Sequence, residues 1–423
     1  MQTTNNISPS WARPFYTLWS GQAISLLGSR IAQFALIWWL TEKTGSAVIL
    51  TTLSLMVSLP QVVLGPFAGA LVDRLNRRNV MLVADSLAAL ASALLALLFW
   101  TNHLQTWHIF VATFIVQLGG TMQLSAMTAS TTLMVPKENF SRVQGANQTL
   151  QGVLLILAPL IGALIIDILT LPFILGIDVV TAAFAIIPLF FIKIPTTTQT
   201  GGLRTVTPSS LWHDIQAGFA YMRSFRALLL LSSLVIVVNL FQGPIPSLIP
   251  ILVKEHFVAG AFQFAWMRMA IGAGFICGGL VLSTWGNLRT RRSTIPFGLA
   301  LMALATFMIG LSPGWAIGVA VAGMLLAGMA MAIINGTIFA TMQASVAPEM
   351  QGRVFTAYQS TSMAAMPLGL VLAGFWTENW NATSWVVVAG IVTLCAAISI
   401  LFSPSILGMG KELTTTQGIP QTS

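Results

Sequence analysis

Four ionisable residues, Arg30, Asp85, Asp178 and Arg268, lie inside stretches that otherwise hold almost nothing but apolar side chains. Charge buried in lipid is expensive, so each marks a candidate working site. Two chemistries suit them. On one reading Arg30 and Asp178 neutralise each other as a structural ion pair, with Arg268 at a similar depth in its own span. On the other, Asp178 or Asp85 takes up a proton in one state and releases it in another, because burial and a neighbouring arginine push a carboxylate's proton affinity in opposite senses. Walker, HExxH and loop acid–base signatures are absent, which excludes a catalytic centre of those kinds, and neither a metal nor a cofactor is expected. Uphill movement of a solute would then draw on an ion gradient.

The elements that carry these residues follow from composition. Of 423 residues 56% are hydrophobic and 7% charged, against roughly 25% charged in a soluble domain. Apolar runs repeat along the chain and read as membrane spans. Cutting at charges, Pro/Gly pairs and polar loops gives twelve: 15–40, 47–72, 79–101, 107–134, 143–168, 172–194, 225–253, 261–286, 294–312, 315–346, 354–376 and 384–406. The expected fold is all-α, with residues 1–194 as one six-helix bundle, 195–224 as a linker, 225–406 as a second six-helix bundle and 407–423 as a tail. Within the linker, Trp212, Ile215, Phe219 and Met222 recur at helical spacing behind a possible N-cap at Ser210, which predicts a short amphipathic helix. Cys277 and Cys395 read as small buried hydrophobes.

The 19 basic residues are scattered in short loops without the interleaved aromatics of a nucleic-acid surface, so no nucleic acid is expected. With the N-terminus inside, fifteen fall in cytoplasmic segments and only Lys43 and Lys254 outside. That bias predicts both termini on the cytoplasmic side.

The halves repeat. Gly69–Val80 (GALVDRLNRRNV) follows the second span, and Gly279–Arg292 (GLVLSTWGNLRTRR) follows the eighth. Val135–Val143 (VPKENFSRV) precedes the fifth span and Ala347–Val354 (APEMQGRV) the eleventh, each followed by polar residues and then a proline, Pro159 or Pro367. Six-plus-six duplication is a layout of secondary transporters.

The loop Gly69-x-Leu-x-Asp73-Arg74-x-x-Arg77-Arg78 resembles the signature of the major facilitator superfamily, except that Asn76 stands where the signature usually has glycine. Within that superfamily the chain resembles the macrolide efflux group of drug exporters. The pieces that carry this are Gly21–Ser25, Leu40–Ser46, Leu71–Arg74, Ala84-Asp85, Ile177–Val179, Glu255–Phe257, Gly352–Phe355 and Met366–Gly369. Arg30 and Arg268 depart from the group, which has a small residue and an acid there.

The resemblance implies two bundles with pseudo-two-fold symmetry that rock around a midplane site, in a bacterial cytoplasmic membrane. It implies a conformational latch at Gly69, Asp73, Arg74, Arg77 and Arg78, the Asp73 carboxylate lying near the positive N-terminal end of the eleventh helix in one state. The plainer alternative is that the arginines only anchor the loop. It also implies a substrate cavity lined from spans one, four, seven and ten by Gln22, Gln33, Phe34, Gln117, Gln123, Asn239, Gln242, Asn335 and Gln343. Apolar walls with a few neutral hydrogen-bonding groups suit a bulky amphipathic molecule, although Gln and Asn also tie helices together. The expected activity is export of macrolide-like drugs by proton antiport, from a monomer whose partners are the small amphipathic substrate, protons and the lipid bilayer. Export of a siderophore or other metabolite, lysophospholipid transport, and a non-transporting receptor with the same fold are the alternatives.

Overall fold

The computed structural model describes residues 11–72, 74–192, 226–285, 291–346 and 348–402. The linker 195–224, with its expected amphipathic helix, lies outside them, as do Asp73 and the tail.

Among the described residues the chain is helical throughout. In the first half the helices are α1 (Ala12–Thr44), α2 (Ala47–Val72), α3 (Arg77–Trp100), α4 (Thr106–Met134), α5 (Phe140–Ile166) and α6 (Leu171–Phe191). In the second half α7 (Arg226–Gln242) continues past Gly243-Pro244 as a short helix, Ile245–Ile251, and a π-turn, Leu252–His256. Then follow α8 (Ala261–Trp285), α9 (Arg291–Gly310), α10 (Ile317–Ser345), α11 (Pro348–Asn379) and α12 (Ala382–Leu401). Lipid offers backbone groups no partners, so apolar runs of this length satisfy their own as helices. Ten helical segments among the described residues are long and apolar enough to cross a membrane. Those that fall short are α9, with a shorter apolar stretch Thr294–Gly310, and α11, which opens with a polar stretch.

The seventh span is interrupted where the hydropathy pattern predicts continuity. Pro244 cannot donate to the helical ladder, and a Cβ on Gly243 would lie 2.6 Å from the Asn239 carbonyl of the preceding turn; the glycine that lets α7 approach α11 is Gly369, where a Cβ would collide with the Leu240 carbonyl.

Two compact units divide the chain, Met1–Thr44 with Thr52–Thr207, and Gly45–Thr51 with Pro208–Ser423. The first holds a core of Phe15, Leu18, Val72, Met81, Ala126, Met134, Val143 and Leu189. The second holds Leu231, Ile295, Leu299, Ile338, Met342, Val354 and Ile400, with Val235 and Ile334 packed against them.

Helix α3 illustrates how a lipid-facing helix is patterned. Val83, Leu87, Leu90, Leu94 and Leu97 are exposed along one face, while Asp85 and Ser92 are buried on the other. An apolar exterior over a polar interior inverts the arrangement of a water-soluble helix and identifies lipid as the solvent. Cys277 and Cys395 are exposed rather than buried; small thiols are tolerated on an apolar outer face as readily as inside.

Candidate functional site

Inside the first unit, small residues on α1 allow α6 to come close. A Cβ on Gly21 would collide with the Phe184 carbonyl, and one on Gly28 with the Thr181 side chain. That approach, with α3 packed against α6, brings two layers of polar side chains together. They lie seven residues apart on both α1 and α3, about 10 Å along the axis at 1.5 Å per residue.

In the first layer, Gln22 of α1 donates through Nε2 to Asp85 Oδ2 at 2.8 Å. Gln123 of α4 donates through Nε2 to Asp85 Oδ1 at 2.6 Å and to Gln22 Oε1 at 2.7 Å. In the second layer, Asp178 of α6 accepts from Ser29 Oγ of α1 at 2.7 Å and from Ser92 Oγ of α3 at 2.5 Å. Both acids are buried, each 4% exposed. Ser25, also buried, lies between the layers on the same face of α1.

The expected Arg30–Asp178 pair is corrected by this geometry. Both oxygens of Asp178 are taken by serine hydroxyls, and Arg30, the residue after Ser29, is half-buried on α1. Successive helical residues point about 100° apart, so the neighbour that faces α6 is the serine, not the arginine.

Several of the residues expected to line a cavity make hydrogen bonds between helices. Gln22 and Gln123 are in the Asp85 layer. Gln242 of α7 donates to Thr306 Oγ1 of α9 at 3.0 Å and to Thr393 Oγ1 of α12 at 2.8 Å, and Asn239 donates to the Ser362 carbonyl of α11 at 3.2 Å. Phe34 is buried against Gly162 of α5, a Cβ at which would lie 2.6 Å from the ring. Gln33, Gln117, Asn335 and Arg268 are half-buried, and Gln343 is exposed. The amides of Gln242 and Asn239 therefore tie helices within the second unit, as buried amides in spans commonly do.

At the 74–76 turn, Asn76 caps α3, its Oδ1 accepting from the Arg78 amide at 3.1 Å. Its φ of −71° requires no glycine, which explains how this chain departs from the usual signature without strain. Arg78 reaches the C-terminus of α6. Its Nε donates to the Leu189 carbonyl and its Nη2 to the Phe190 carbonyl at 3.1 Å. A guanidinium there satisfies orphan carbonyls and complements the negative helix end. Gly69, Arg74 and Arg77 flank the turn, and a Cβ on Gly69 would meet nothing within 4 Å. Asp73, the acid of the expected latch, falls outside the described residues.

Sequence reasoning missed Ser29, Ser92, Thr306 and Thr393. The signal was present in Gln22/Ser29 and Asp85/Ser92, which repeat one seven-residue spacing on two helices.

The family model described as Major Facilitator Superfamily matches residues 18–370. The chain is 32% identical to Macrolide efflux protein A of Streptococcus pyogenes over 401 residues, covering 94% of this chain and 96% of that protein. It is 24% identical to Multidrug efflux pump Tap of Mycobacterium tuberculosis (strain ATCC 25618 / H37Rv) over 409 residues, 95% of each. A bacterial homolog of the human lysosomal transporter Spinster, solved inward-facing and unoccupied, superposes with a TM-score of 0.69 at 12% identity, covering 98% of this chain and 100% of that one.

Proposed function

The chain belongs to the Major Facilitator Superfamily, and from that premise we propose that it exports amphipathic drugs, macrolide-like antibiotics among them, in exchange for protons. The observation that carries this is likeness at 32% identity, over nearly its whole length, to a protein named for macrolide efflux. Exchange for protons is supported by a carboxylate buried among neutral amides inside a multi-pass membrane protein, the kind of group that changes charge when its surroundings change. Loop charge supports an orientation with both termini cytoplasmic. The protein works as a monomer by alternating access.

The test is expression in a bacterium stripped of its own drug pumps, followed by susceptibility to a panel of macrolides and unrelated amphipathic drugs, with and without an uncoupler. Raised resistance that the uncoupler abolishes is the expected result. Susceptibility equal to that of the empty vector throughout the panel eliminates drug export, and resistance indifferent to the uncoupler eliminates proton exchange.

A further inference from the structure

The internal duplication separates the two buried acids. Ser92 is the sixteenth residue of α3 and Thr306 the sixteenth of α9. The Asp178 layer joins α1, α3 and α6, and the Gln242 layer joins α7, α9 and α12, the corresponding helices of the second half. A polar tie at this level therefore recurs in both halves, and in the second it is built from neutral side chains alone. Tying these three helices does not require a charge.

The Asp85 layer has no polar counterpart. Seven residues before Gln242 and Thr306, as Gln22 and Asp85 stand before Ser29 and Ser92, are Val235 and Leu299. Gln123 is the eighteenth residue of α4 and Ile334 the eighteenth of α10. Val235, Leu299 and Ile334 belong to one hydrophobic cluster. The same place in the fold is thus filled by three aliphatic side chains in one half and by an acid and two amides in the other. Aliphatic packing suffices to build it, so the costlier polar set in the first half is retained for something other than folding.

Both oxygens of Asp85 accept amide N–H groups, the pattern of an ionised carboxylate. Among the described residues no cation is bonded to it. The charged group that acts on it is Asp178, one layer away and of like sign; Arg30 stands eight residues beyond Gln22 on α1, about 12 Å along the axis. In lipid the charge must be neutralised by a proton or by a cation that enters. We infer that Asp85, with Gln22 and Gln123 as positioning amides, is an exchange site occupied alternately by a proton and by the protonated amine of an amphipathic substrate, while Asp178 is a structural tie. This rests on the exchange reading above. Protonation turns one acceptor oxygen of Asp85 into a donor, so one amide must present its carbonyl instead. When the ammonium group arrives, the carboxyl proton leaves to water and the amide turns back; the net charge of the layer is unchanged.

The experiment is proton release from purified protein in weakly buffered detergent, read with a pH indicator as erythromycin is added, alongside erythromycin transport in proteoliposomes. Wild type and Asp178→Asn release a proton per bound molecule. Asp85→Asn releases none, and the erythromycin derivative whose dimethylamino nitrogen has lost one methyl group and been acetylated, leaving an uncharged amide, elicits none from any variant. The triple variant Gln22→Val, Asp85→Leu, Gln123→Ile, which installs the aliphatic set of the second half, stays folded and monodisperse and releases none. Release that survives Asp85→Asn, or that is lost in Asp178→Asn, overturns the assignment alone. A triple variant that fails to fold overturns the claim that the fold has no need of the polar set. Wild type that transports without releasing protons overturns the exchange reading, and the assignment with it.

Discussion

Ser92 of α3 donates its hydroxyl to Asp178 of α6 at 2.5 Å, and Ser29 of α1 closes the other carboxylate oxygen. Three helices meet on one side chain. Asp178→Asn leaves one acceptor and adds a donor, so one serine must turn to accept. Interhelical hydrogen bonds in membranes contribute about 0.6 kcal/mol on average and up to about 1.7, and the expected loss is of that order. Thermal unfolding in detergent measures it. Asp178→Leu, which removes both acceptors, melts lower than Asp178→Asn; the reverse order contradicts the tie.

Gln242 occupies the corresponding layer of the second unit, but its partners are better protected. The hydroxyls of Thr306 and Thr393 also donate to their own helices, to the Met302 and Ala389 carbonyls, each at 2.7 Å. Gln242→Leu therefore leaves no hydroxyl proton unsatisfied, and the expected destabilisation is below about 1 kcal/mol. A drop in melting temperature as large as that of Asp178→Leu would contradict this difference between the layers.

The approach of α1 to α6 depends on Gly28. A Cβ there would lie 2.9 Å from Thr181 Cβ and closer still to its hydroxyl. Overpacking of this kind destabilises by about 1–3 kcal/mol. Gly28→Val lowers the yield of monodisperse protein, and adding Thr181→Ala, which removes the nearest atoms, recovers part of it. Equal yields from the single and double variants would show that the contact is not limiting.

Two predictions concern the 74–76 turn. Asn76→Ala loses the cap and about 1 kcal/mol, whereas Asn76→Gly loses only a few tenths. Arg78→Gln loses the charged bonds to the end of α6, about 0.5–2 kcal/mol, and Arg78→Lys recovers only part, since a single ammonium nitrogen does not reproduce the rigid spacing of Nε and Nη2 that meets the two carbonyls. Melting temperatures of the four variants give both orderings, and a lysine variant as stable as wild type would remove the forked geometry from the explanation.

The spans were legible without coordinates because lipid imposes a coarse rule, about 20 apolar residues in a self-satisfied helix, which averages over side chains. The buried acids were legible for the same reason, as exceptions in an apolar background. Tertiary structure alone decided their partners. Asp178 meets Ser29 and Ser92 rather than Arg30, and Gln22 and Gln123 turn to Asp85, while Gln242 ties three helices. Hydropathy does not record how each helix is rotated about its axis, nor where glycines such as Gly21 and Gly28 let two backbones close on each other. Those two quantities choose a hydrogen-bond partner, and in this chain they chose the serine over the adjacent arginine.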